Sequence, residues 1–140
     1  MIRRIADVPK VTDGAADDPD WHPLTHYFAL TAFGLNAFVA RDAGQEVIGE
    51  HDETGSGQEE VYVVLAGRAR FWLDGDESDV AAGSIVVVRD PATRRRAIAL
   101  EVGTSVLAVG GPPRESFPST WDASHFENVA RADGGPRLNP

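Results

Sequence analysis

Cysteine is absent from all 140 residues, which excludes disulfides, thiolate metal sites and thiol nucleophiles together. Any metal must therefore take histidine and carboxylate ligands. Basic charge is scarce as well: 13 Lys and Arg stand against 22 Asp and Glu, a formal net charge of -9. Nucleic acid and anionic membrane are excluded as partners, because binding to phosphate is dominated by clustered basic charge. Lys10 is the single lysine. No apolar run approaches the roughly 20 residues of a membrane span. The opening MIRRIADVPK is basic without an apolar stretch behind it, so no secretory signal is read there and a cytoplasmic location is expected. Neither a glycine-rich phosphate loop before a helix nor a GxSxG motif occurs, which leaves phosphoryl transfer and serine hydrolysis without support.

What is present suits one domain. Hydrophobic residues make up 42% of the chain and charged residues 25%, ordinary values for a globular protein. Residues 1–20, with the acidic run DGAADDPD, read as a loosely attached arm. From 21 to 113 short β-branched or aromatic runs recur about every ten residues, with turn residues between them. THYFALTAFGLNAFVAR, from Thr25 to Arg41, reads as two strands or one bulged strand, and QEVIGE as a strand. VYVVL reads as a central strand and RARFWL as its alternating return. Asp74-Gly75 is a two-residue hairpin turn. SIVVVR, Arg94 to Leu100 and SVLAV complete the series. Strands without a helix before residue 110 predict an all-β closed or double-sheet barrel. The tail, 114–140, carries a short helix starting near Ser119 or Thr120 and packs on the barrel or on a second subunit.

The stretch HDETGSGQEEVYVVLAG, His51 to Gly67, places a histidine and several carboxylates ahead of a strand that must be buried. It resembles the first motif of the cupin superfamily, in which a His-x-His pair is followed by a glutamate and, after six intervening residues, a glycine. Glu60 and Gly67 match, and His51 and Glu53 stand where the histidine pair would be. A second motif is similar from Gly83 through the turn at Arg89-Asp90-Pro91, and its histidine position falls on Arg94. The resemblance implies a jelly-roll (double-stranded β-helix) barrel and a homodimer. It also implies a metal set reduced to His51, Glu53 and Glu60, with Arg94 in the place of the fourth ligand.

Three readings follow. In the favoured one the pocket binds a small organic ligand without a cofactor; Arg94 replaces the charge of the metal, pairs with Glu60, Glu53 or both, and offers itself to an anion. In the second, His51, Glu53 and Glu60 hold Fe(II), Mn(II) or Zn(II) in an oxygenase or isomerase. In the third, His51 or Tyr62 is the general acid or base of a metal-free enzyme. Tyr62 enters because it shares the strand parity of Glu60 and so faces the same interior. Of the three consecutive arginines, Arg95 and Arg96 are read as edge protection.

Overall fold

The computed structural model describes residues 1–113, 123–126, 129 and 131–132. Among these residues, nine strands form two antiparallel sheets that face each other. One holds β1 (Asp20–His22), β2 (Gly34–Val39), β9 (Ser105–Gly111), β4 (Glu59–Ala66) and β7 (Ile85–Val88) in that order. The other holds β3 (Glu46–His51), β8 (Arg95–Ala99), β5 (Arg68–Leu73) and β6 (Asp76–Ala81). The expected all-β jelly-roll barrel is the fold observed. Asp74 and Gly75 both have positive φ, and Leu73 pairs directly with Asp76, the hairpin geometry that the Asp-Gly pair predicts.

Alternating side chains from both sheets fill one end of the barrel: Val64, Ala69, Phe71, Ala97, Ala99 and Val106 are all buried. Gly67 closes the β4–β5 hairpin at φ +67, and a Cβ there would stand 2.9 Å from the Cα of Thr104. Only glycine fits both that backbone conformation and that approach. The strand register counted from Glu60 to Gly67 is thus fixed by sterics at the turn.

The stretch from Thr25 to Arg41 departs from its expected strands. Leu24–Phe28 is a short helix, α1, and only Gly34–Val39 is strand. Tertiary docking overrides the strand preference of these aromatic residues. Leu24 and Phe28 cover the outer face of β2 and β9 together with Val8, Ala37 and Leu107, and the Thr25 hydroxyl exchanges hydrogen bonds with the backbone of Leu35. The segment ahead of Trp21 lies against the barrel. Val8 is buried, its carbonyl accepts from His22 Nδ1 at 2.8 Å, and Arg41 donates to the carbonyls of Ala16 and Asp18. Within the tail, Ala123–Phe126 is a 3-10 turn; the helix start expected at Ser119 or Thr120 lies outside the described residues. Among those described, no helix is long and apolar enough to cross a membrane.

Candidate functional site

The end of the barrel opposite its apolar filling is polar. β3 carries irregularities between Glu46 and Ile48 and between Ile48 and His51; such bulges re-aim side chains. They bring His51 opposite Arg95 on β8, and both side chains meet Glu60, which β4 carries on the inner face beside Tyr62. Glu53 follows β3 in a loop pinned by its own N–H to the Pro91 carbonyl at 2.8 Å. His51, Glu53 and Glu60 each offer one ligand atom within 4.8 Å of the others, the one such group among the described residues. His51 Nε2 stands 3.6 Å from Glu53 Oε1 and 3.5 Å from Glu60 Oε2.

Every member of this group has a polar partner outside it. His51 Nδ1 lies 2.7 Å from the Gly49 carbonyl; a carbonyl only accepts, so Nδ1 carries the proton and Nε2 faces the carboxylates. Glu53 Oε2 accepts from the Ser56 hydroxyl and from Gln58 Nε2 at 3.4 Å, leaving Oε1 turned toward His51. Glu60 Oε2 accepts from the Tyr62 hydroxyl and lies 3.1 Å from Arg95 Nε. Gly110 leaves room for two of these side chains, since a Cβ there would meet Gln58 Oε1 at 3.0 Å and Glu60 Cγ at 3.2 Å.

The arginine on Glu60 is Arg95. Its side chain is wholly buried, and Nη1 donates to the Thr93 carbonyl at 2.7 Å. Arg94, expected to point inward, turns out of the barrel, 60% exposed, onto Glu50. Arg96 likewise faces outward, over the Trp72 ring and against Glu46. The physical reason is the turn after β7, which holds one residue more than the spacing counted from Gly83 allows. Arg95, Ala97 and Ala99 then form the buried face of β8. The edge-protection role expected of Arg95 gives way to an interior one.

Burial pushes the Tyr62 phenol well above its ordinary value; the hydrogen bond to Glu60 and its charge add to the rise, and Arg95 opposes it. Tyr62 is therefore a fixed donor to Glu60, unsuited to the general-base part. A phenol whose value is raised in the fold contributes stability in full below the ordinary tyrosine value of about 10, and that contribution is lost as pH rises above it. The thermal midpoint should fall as the pH rises above about 10, and Tyr62→Phe should flatten that fall. An equal fall in the variant would show that other groups cause it.

Beside the site lies a cavity of about 800 Å³. It opens where β1 and β2 face β3 across the unpaired seam of the barrel. Tyr62, Glu60 and Ala108 line its depth, Trp21 and Phe38 one wall, and Gly14 with residues 16–19 its lip. His51 and Glu60 border it, whereas among the described residues neither lysine nor arginine does.

No protein-family model and no curated protein matches the sequence. Solved structures do. A cupin protein from Bacteroides fragilis is 21% identical, with a TM-score of 0.61 over 89% of this chain and 98% of that one. A Klebsiella pneumoniae protein with a double-stranded β-helix domain is 18% identical, with a TM-score of 0.61 over 82% and 92%. A cupin-superfamily sugar phosphate isomerase from Silicibacter pomeroyi is 17% identical, with a TM-score of 0.59 over 76% and 68%. At these identities the likeness is one of architecture, and it agrees with the strand order and the polar barrel end: the chain has the cupin fold.

Proposed function

We propose that the barrel is a small-molecule site built around one divalent metal ion, Mn(II), Fe(II) or Zn(II), held by His51 Nε2, Glu53 and Glu60. The observation that carries this reading is the spacing of the donors. At 3.5 and 3.6 Å the His51 contacts are too long for charge-assisted hydrogen bonds, which run about 2.7–2.9 Å. They are close to the separation of two ligands on one tetrahedral ion, about 3.3 Å for bonds of 2.0–2.1 Å. One nitrogen and two carboxylates suit these metals, and the contacts of His51 Nδ1 and Glu53 Oε2 are outer-shell supports of the kind that orient metal ligands. A metal bound there supplies Lewis acidity to an oxygen-bearing ligand reaching it from the cavity.

A second reading keeps the site free of metal, as the sequence led us to expect, with an arginine in the place of the ion. It is favoured by the 3.1 Å approach of Arg95 to Glu60. Here Glu53, a protonated His51, Glu60 and Arg95 form a neutral charge network. The activity of the Silicibacter pomeroyi isomerase is not extended to this chain. Among the described residues, a phosphorylated sugar would find no lysine or arginine along this cavity.

Elemental analysis of protein purified without chelators, followed by unfolding with and without each metal, separates the two readings. The metal reading expects about one ion per chain. It also expects a stabilisation of about 2.7 kcal/mol at a hundredfold excess over the dissociation constant. Absence of metal, with no stabilisation by any of the three, would leave the charge network.

A further inference from the structure

We propose that the mouth of the cavity binds the ammonium group of a small organic ligand, between the Trp21 ring and the carboxylates of Asp17 and Asp42. The inference rests on the small-molecule reading of the same cavity, and it does not require the metal. Three observations converge on it.

First, the walls select against anions. Asp17, Asp18, Asp42, Glu46 and Glu60 all border the cavity, and among the described residues the only basic side chain that does is His51. Glu46 is engaged by Arg96, and Asp18 Oδ2 by the backbone N–H of Ala15. Asp17 and Asp42 have no cationic partner among the described residues. The nearest arginine of the lip, Arg41, is committed to the carbonyls of Ala16 and Asp18 and to Asp20. Arg95, which would draw an anion inward, is wholly buried against Glu60 and does not line the cavity.

Second, the aromatic wall is held ready. Trp21 remains 41% exposed although it stacks on Phe38 at 6.3 Å, and its Nε1 donates to Asn36 Oδ1 at 2.9 Å. That bond fixes the ring, which borders the cavity rather than the core. An indole face beside carboxylates is the surface that attracts organic cations, by the ring quadrupole and by charge together.

Third, the acidic lip is fastened in place. Gln45 Nε2 donates to the Asp17 carbonyl at 3.2 Å, and the Gln45 Oε1 accepts from the N–H of Arg41 and Asp42. Asp17 and Asp42 are thereby tied to one side chain at the entrance. A ligand with an ammonium at the mouth and an oxygen donor toward His51, Glu53 and Glu60 would span the cavity.

The test compares two probes of equal length and opposite charge, 1,4-diaminobutane and succinate, added to isotope-labelled protein. The readout is the indole N–H resonance of Trp21, identified with Trp21→Phe. A saturable shift with the diamine, none with succinate, and a loss of affinity of about tenfold in Asp17→Asn/Asp42→Asn are expected. The double variant should keep the wild-type thermal midpoint. A response to succinate as strong as to the diamine, no response to either, or undiminished binding in the double variant would overturn the inference. Titrations of chelator-treated and Zn(II)-loaded protein keep the two proposals apart. A diamine response without metal uptake supports the ammonium site and defeats the metal reading. Metal uptake without a diamine response does the reverse.

Discussion

Arg95→Met should lower the thermal midpoint by roughly 10 °C or more, the consequence of losing about 3–5 kcal/mol. The guanidinium is wholly buried and lies 3.1 Å from Glu60 Oε2. Methionine preserves most of the volume but leaves the Glu60 carboxylate deprived of its cationic neighbour inside the barrel. Stranding one partner of a buried pair is costly, whereas removing both is far milder. The double variant Arg95→Met/Glu60→Gln should therefore recover more than half of the loss. Arg94→Ala is the control. Its ion pair with Glu50 is exposed on both sides, and such pairs contribute less than about 1 kcal/mol. Calorimetry of the four proteins decides the matter. Equal losses for Arg94→Ala and Arg95→Met would mean that Arg95 is not the interior cation.

The contrast between these neighbours shows what the sequence displayed and what it concealed. Glu60, Tyr62 and Gly67 were legible together, because strand parity ties Tyr62 to Glu60 and the hairpin glycine fixes where the strand ends. The turn after β7 was not legible. Counting from Gly83 assumes a fixed turn length, and one added residue reverses the face of every side chain that follows. Ile98 and Leu100 are bulkier than Ala97 and Ala99, yet the alanines are the buried ones, because they share the inward face of β8 with Arg95. The loop TGSGQE separates Glu53 from Glu60. Its Ser56 and Gln58 hold Glu53 by hydrogen bonds, a role that no periodicity announces. Trp21 and the acidic segment before it become cavity walls only through long-range contacts. His51, Glu53 and Glu60 were the ligand set of the second, metal-bound alternative, and they lie with one ligand atom each within 4.8 Å of the others.

Glu53→Gln should abolish metal-induced stabilisation while leaving the metal-free protein as stable as the parent, or slightly more so. The amide is isosteric and keeps the contacts to Ser56 and Gln58, so the loop stays in place. What changes is charge: Glu53 Oε1 and Glu60 Oε2 converge on the same His51 nitrogen, and neutralising one relieves their repulsion in the empty site. Loss of one of three ligands should weaken metal binding by at least about a hundredfold, so a metal concentration that stabilises the parent by about 2.7 kcal/mol would shift the variant hardly at all. The two readings of the site differ in sign here. If Glu53 belongs to a charge network with a protonated His51, the amide removes an anion that the imidazolium needs, and the metal-free variant loses stability. Thermal unfolding of parent and variant, each with chelator and with excess Zn(II), gives both quantities. A lower midpoint in chelator with no response to Zn(II) in the parent selects the network. An unchanged midpoint in chelator, with a Zn(II) response confined to the parent, selects the metal.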